Sequence, residues 1–275
     1  MSKRNQLAEA GLDVGQTRTK LYWESEEGLV NWSELKNAAA LANYRRGAAD
    51  PYRVNVTGLG PLPEIEGIRF IRPEGDLLTS EIVTQARGAA YLMRRQVRPP
   101  PEDHLVVSVG TGTSYALVSR SGVTPLLGNA LGGGFLAGQF SLMGLTVRQY
   151  ISAFSEYEEG TPLDTLLSDL LPELSGTPAG RLVAAHFAKA NRRSRLEDLL
   201  ETAVHCVATA VARDLLLFRQ YGNCPPTVIL VGGVPASMPK FLRYLRGYTD
   251  ELGLTLLVPN VCEFAGAAGA FIRDK

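Results

Sequence analysis

Apolar residues come in short runs broken by glycine and threonine over the first part of the chain, and in helical spacing over much of the rest. Runs ending at Val14, then Leu21-Tyr22-Trp23 and Gly28-Leu29-Val30, predict three short strands, with Gly15-Gln16-Thr17 making the first turn of a meander. Arg53 to Thr57 before Gly58, and Ile68 to Ile71 before Pro73, predict two more. Ser80 to Val97 predicts a helix, because Ile82, Ala86, Ala89, Ala90 and Met93 recur on one face. Beyond the stiff Pro99-Pro100-Pro101 segment, Leu105 to Val109 opens a second unit, and Ser114 to Val118 returns antiparallel past a Gly/Thr turn. Gly11 to Trp23 and Leu105 to Val118 therefore share the order strand, Gly/Thr turn, strand, the internal similarity of a duplicated fold.

Helices are predicted next, over Phe135 to Phe154, Gly180 to Lys189 and Leu196 to Tyr221. Thr227 to Val231 and Leu254 to Val258 read as strands. Ser237 to Tyr248, with Ser237 as N-cap and Pro239 in the first turn, and Glu263 to Ile272 read as helices. This places an N-terminal lobe over 1–98 and a C-terminal lobe over 99–275, with the final helix able to pack back on the first lobe.

A chain of 275 residues can bury a substantial core. Its 28 basic residues balance 28 acidic ones, so no field collects nucleic acid or an anionic membrane. Arg45-Arg46, Arg94-Arg95 and Arg192-Arg193 read as solvated surface near helix ends. Three widely spaced cysteines, Cys206, Cys224 and Cys262, fit neither a disulfide framework nor a paired-Cys metal knuckle, and point to reduced thiols in the cytoplasm. The start is polar, without an apolar secretory core, and no apolar run reaches membrane-spanning length. His205 and Cys206 are adjacent, and neighbours on a helix point in different directions, so the pair reads as structural.

The chemistry concentrates in three glycine turns that each follow an apolar run: Gly15-Gln16-Thr17, Gly110-Thr111-Gly112-Thr113-Ser114 and Gly232-Gly233. A polyphosphate is met by backbone N–H groups and hydroxyls that approach without an intervening Cβ, which such turns provide. Each turn alone also fits a tight hairpin or strand-to-helix turn; three in this order point to a split nucleotide site. Asp13 is placed to hold Mg²⁺, through water, and Lys20 supplies a mobile charge for a transferred phosphoryl group. Gly132-Gly133-Gly134 before an amphipathic run reads as an anion-binding helix N-terminus or as a hinge. An alcohol acceptor needs a carboxylate base, for which Glu74, Asp76 and Glu81 are candidates. Glu81, just after Ser80, reads on local grounds first as a favourable first-turn charge.

The order of these motifs resembles the actin-like ATPase and sugar-kinase superfamily, and within it the type II pantothenate kinases. Asp13-Val14-Gly15-Gln16-Thr17-Arg18-Thr19-Lys20 is similar to the Asp-x-Gly-Gly-Thr-x-x-Lys phosphate turn of that family, and Val109 to Ser114 to its Val-Gly-Thr-Gly-Thr-Ser segment. The resemblance runs on through Leu131 to Phe135, Gly160 with Leu163-Asp164, Ala184-Ala185-His186-Phe187, Ala212-Arg213-Asp214, Gly232-Gly233 and Phe264 to Ala270. It implies an α/β chain with the duplicated actin-like ATPase (ribonuclease H-like) fold, two lobes around a nucleotide cleft. It also implies ATP and Mg²⁺ as cofactors, pantothenate as acceptor, and a homodimer. Glu81 becomes the implied general base, because it precedes Arg87-Gly88 by the spacing at which the family sets its catalytic Glu before Gln-Gly. Two positions depart from the pattern. Gln16 replaces the second glycine of the phosphate turn, and Pro125 stands where an Arg is expected to hold the substrate, a charge-assisted bond worth about 1.5–3 kcal/mol. These departures leave open a kinase for another small hydroxyl acceptor, or a nucleotide- or acyl-CoA-sensing protein. A radical-dehydratase activator of the same superfamily would need closely placed Cys ligands for its iron–sulfur cluster.

Overall fold

A computed structural model describes residues 6–7, 9–15, 18–25, 27–46, 52–96, 99–153, 160–222 and 224–273. Gln16 and Thr17 of the first turn, Val97 and Phe154 lie outside the described residues.

Two five-stranded sheets carry the fold. The first comprises β1 (Glu9–Val14), β2 (Thr19–Glu24), β3 (Val30–Leu35), β4 (Tyr52–Thr57) and β5 (Ile68–Ile71), in the order β3-β2-β1-β4-β5. Helix α1 (Leu77–Arg94) follows. The second sheet comprises β6 (His104–Val109), β7 (Thr113–Ser119), β8 (Gly122–Asn129), β9 (Thr227–Val231) and β10 (Thr255–Leu257), in the order β8-β7-β6-β9-β10. Each sheet thus opens with an antiparallel meander and adds two strands parallel to its first. The duplication is one of topology as well as of turn sequence. Between β8 and β9 run α2 (Gly133–Leu142), α3 (Val147–Ala153) and the long α4 (Leu196–Gln220); α5 (Gly233–Ser237), α6 (Pro239–Glu251) and α7 (Ala265–Phe271) complete the chain. No helix among the described residues is long and apolar enough to cross a membrane.

The central strands are covered on both faces, which is why they read as unbroken apolar runs. In β6, Leu105, Val107 and Val109 face a core shared with α2, α4 and α6, while Val106 faces the other way. That second core lies between the sheets. It is built from α1 and α7 with Tyr22, Val106, Ala116, Ile229 and Val231. The two helices cross through small residues: a methyl on Gly88 would come within 1.8 Å of Ala265 O, and one on Gly269 within 1.9 Å of Thr84 O. Helix α7 sits as closely on the first sheet, where a methyl on Gly11 would meet Ala267 O at 2.1 Å. The run Ala265-Gly266-Ala267-Ala268-Gly269-Ala270 is therefore a packing surface used on both sides.

Several predicted boundaries move. Gly28 takes φ +75° and turns the chain, so the third strand is Val30–Leu35 rather than 28–30. Helix α1 begins four residues before Ser80's successor, at Leu77, because Asp76 accepts hydrogen bonds from the N–H groups of Leu78 and Thr79. The segment predicted as a helix from Phe135 is divided at Gly144, φ +80°, into α2 and α3. Gly180 to Lys189 is not an α-helix: a 3₁₀ turn over Ala179–Arg181 leads into an extended Val183–Ala185, which pairs with Thr165–Leu166. Ser237 does not cap α6; its Oγ donates back to Gly233 O, and Met238 is the N-cap residue, with Pro239 at the first helical position. Strand β8 was not foreseen, since Pro125 interrupts its pattern; Pro is accommodated because β8 is an edge strand.

Candidate functional site

The glycine turns sit where strands end. Gly15 follows β1, Gly58 follows β4, Gly110 follows β6 and Gly232 follows β9, all at the carboxyl ends of inner strands, where open α/β sheets bind ligands.

On the first sheet, Asp13 and Lys20 are direct partners across the β1–β2 hairpin, which puts both side chains on one face. Lys20 Nζ stands 4.0 Å from Asp13 Oδ2. Burial pushes the Asp13 carboxyl above the ordinary range, and the Lys20 charge opposes this only in part. Gly58 and Gly266 flank the two carboxylate oxygens so closely that a methyl on either would come within 3 Å of them. Thr57 is the parallel-strand partner of Asp13, and its buried Oγ1 has no hydrogen-bond partner. A buried, under-neutralised carboxylate beside an orphaned hydroxyl suits a hydrated divalent cation. Thr57 escaped the sequence reading, although its place at the end of β4, level with Asp13, follows from the strand register.

Glu81 belongs to the second turn of α1, since the helix starts at Leu77 and has no acidic residue in its first turn. The reading of Glu81 as a helix-end charge is thereby removed; Asp76 caps the helix. Burial first, and then the Asp13 charge, raise the Glu81 carboxyl to about 7, against the opposing pull of Lys20. Gln85, one turn on, donates from Nε2 to Glu81 Oε1 at 3.1 Å and accepts from Ser114 Oγ at 3.5 Å. Gln85 thus ties Glu81 to the turn of the second sheet. Its spacing of four from Glu81 was the available signal.

On the second sheet, Gly110 and Thr111 are exposed, and Gly110 has open space where a Cβ would stand. Gly112 O accepts from Gly110 N, closing the turn. Thr113 is buried, and its hydroxyl donates to Leu131 O at 2.7 Å, so it holds the turn's shape. The Gly132-Gly133-Gly134 run requires a correction. The N–H groups of Gly133 and Gly134 donate to Gly110 O and Thr111 O at 2.7 and 2.8 Å. They are occupied in seating α2 under the Gly110–Ser114 turn, and a methyl on Gly132 would strike Gly112 at 2.8 Å. Two of the run's three amides are thus turned onto the neighbouring turn and clamp α2 against it. Asn129 reinforces it, accepting from Leu131 N through Oδ1 and donating to Asp214 Oδ2, which also accepts from Tyr115 Oη. Gly232 has φ +113° and lies so near β6 that a methyl would come within 2.3 Å of Val109 O, while Gly233 opens onto free space.

No family model matches the chain. The type II pantothenate kinase of Oceanobacillus iheyensis is 21% identical over 285 residues, covering 96% of this chain and 98% of that protein. Among solved structures, the activator of the 2-hydroxyisocaproyl-CoA dehydratase from Clostridium difficile with bound ADPNP has a TM-score of 0.64 at 17% identity, over 96% of this chain and 93% of its own. A ROK family glucokinase from Streptomyces griseus in complex with glucose and AMPPNP has a TM-score of 0.51 at 14% identity, over 96% and 97%. The fold is that of the actin-like ATPases. The repeated sheet order and the α1–α7 pair between the sheets are its expression in this chain.

Proposed function

We propose that the protein is an ATP- and magnesium-dependent phosphotransferase acting on the primary hydroxyl of pantothenate, the opening step of coenzyme A synthesis, as a cytoplasmic homodimer. The observation that carries this reading is Glu81, a carboxyl raised to about 7 beside Asp13 and Lys20. A base tuned to the working pH abstracts a hydroxyl proton far better than an ordinary carboxylate. The 21% identity with the Oceanobacillus enzyme over nearly the whole chain supports pantothenate as the acceptor.

Asp13, with Thr57 beside it, would hold hydrated Mg²⁺. The ion, when bound, neutralises charge on phosphate oxygens. Gly15, Gln16, Thr17, Gly110 and Thr111 would line the phosphates, and Gly232 and Gly233 would admit the adenosine. Gly112, Thr113 and Gly132 to Gly134 keep the second turn in shape. Glu81 takes the proton of the acceptor hydroxyl as that oxygen bonds to phosphorus and ADP leaves with the electrons of the broken P–O bond. Lys20 follows the phosphoryl charge, and Gln85 holds Glu81 in its rotamer.

A second reading, a nucleotide- or acyl-CoA-sensing protein, or a kinase for a different hydroxyl acceptor, is favoured by Pro125 on the edge strand in place of the expected Arg. Cys206 and Cys262 are buried on separate elements and Cys224 is half-buried, so an iron–sulfur activator is not proposed. ADP release measured with pantothenate, its analogues and a panel of sugars separates these readings. Release dependent on pantothenate and cut at least about a hundred-fold by Glu81→Gln, with ATP affinity nearly unchanged, supports the kinase. Silence with every acceptor while ATP still binds supports sensing.

A further inference from the structure

A second cluster of chemically competent side chains lies in the C-terminal lobe, apart from the residues assigned above. The strand pair Thr165–Leu166 and Val183–Ala185 aligns Thr165 with Ala185, so Asp164 and His186, just outside it, face one another. His205 reaches the same point from α4. His205 Nδ1 is 2.6 Å from Asp164 Oδ2, and His186 Nδ1 is 3.1 Å from Asp164 Oδ1. Asp164 is 2% exposed and His205 7%. One ligand atom from each of the three residues lies within 4.8 Å of the others.

Two further features set this cluster apart from an ordinary buried ion pair. The buried His186 Nδ1 stands 3.1 Å from Asp164 Oδ1 without the alignment of a full hydrogen bond, and the buried Cys206 is the other polar side chain that acts on its ring. Phe187, next to His186, takes φ +59°, a left-handed backbone that is strained for a non-glycine residue. Phe187 N–H donates to Asp164 Oδ1 at 3.0 Å and holds the carboxylate in place. On the far side, His205 Nε2 meets Tyr248 Oη at 2.7 Å, the outer-shell contact that fixes the tautomer and orientation of a ligating imidazole.

We propose that Asp164, His186 and His205 form a transition-metal site that takes zinc. Two imidazoles and one carboxylate form a three-ligand set suited to zinc, with a water as fourth ligand. Ligands at zinc distances in a tetrahedron stand about 3.4 Å apart, so the two imidazole–carboxylate contacts of 2.6 and 3.1 Å open by less than about 1 Å when the ion enters, and the two imidazoles already lie within the 4.8 Å that encloses the set. The metal ties the segment containing Asp164 and His186 to α4, and so fastens the excursion between α3 and α4 to the second sheet's helices. The site is independent of nucleotide and of Glu81.

Titration of the chelator-stripped, full-length protein with cobalt(II) alone tests this. The expected result is one equivalent bound with the visible absorption of four-coordinate cobalt, displaced by zinc and retained in Asp13→Asn. His186→Ala, at a half-exposed position, is expected to abolish the band while circular dichroism stays native. Tyr248→Phe is expected to weaken zinc affinity about 10–100-fold. Absence of stoichiometric uptake by the wild type, a band that survives His186→Ala, or one lost in Asp13→Asn would overturn the assignment.

Discussion

At the scale of single residues, Glu81 illustrates how a site and the stability of its fold oppose each other. Its carboxyl is raised from 4.5 to about 7 by burial and by the Asp13 charge. Between those values the folded protein holds a proton that the unfolded chain has released, so this residue makes stability fall as pH rises through that window and leaves a constant penalty above it. Glu81→Gln is therefore expected to stabilise the protein by about 1–3 kcal/mol at pH 8 and to have little effect at pH 4, measured by denaturant unfolding. For catalysis the sign reverses. Turnover by the wild type is expected to climb tenfold per pH unit below about 7 and level off above it, as the carboxylate form accumulates. A pH profile flat between 5 and 8 would remove Glu81 as the base. From the residues alone Glu81 was one carboxylate among three, singled out only by the resemblance at Arg87-Gly88; that Asp76 is the cap and Glu81 lies in the second turn comes from helix α1 starting at Leu77.

At the scale of elements, the decisive contact is the crossing of α1 and α7. Gly88, Gly269 and Gly11 permit backbone-to-backbone approach on both sides of α7, and the side chains that would separate the elements are missing. Gly269→Val is expected to destabilise the protein by about 3 kcal/mol or more, because the added atoms meet the Thr84 carbonyl in a core that cannot yield. Gly247→Ala, on α6 with open space around it, serves as the control and is expected to stabilise by about 0.5–1 kcal/mol. Thermal midpoints of the two variants check both. The sequence displays the small-residue run plainly and allows the final helix to pack back on the first lobe, but it does not show that Gly88 of α1 and Gly11 of β1 are the surfaces it meets. Likewise, helical spacing over Gly180 to Lys189 misled because strand pairing with Thr165–Leu166 overrode local preference.

At the scale of the molecule, two sheets of one topology share the α1–α7 layer, and the proposed donor site draws residues from both. A ligand that engages both glycine turns binds only the folded arrangement. Mg²⁺-ATP at a hundredfold excess over its dissociation constant is therefore expected to stabilise the protein by about 2.7 kcal/mol. Differential scanning fluorimetry with and without nucleotide reads this directly, and an unchanged midpoint would contradict the proposed donor site. Protection from hydrogen exchange should concentrate at Gly110, Thr111 and Gly233.

The sequence by itself determined the repeated strand–turn–strand order, because strand alternation and turn chemistry are local properties. It also exposed the glycine turns, since no side chain can hide them. Tertiary structure alone decided what those groups do. The Gly133 and Gly134 amides are committed to the neighbouring turn, the Thr57 hydroxyl is left without a hydrogen-bond partner beside Asp13, and Gln85 links Glu81 to Ser114. Asp164, His186 and His205 converge from separate stretches of chain. Each of these depends on which surfaces meet when the sheets and helices close, and a linear pattern holds no record of that.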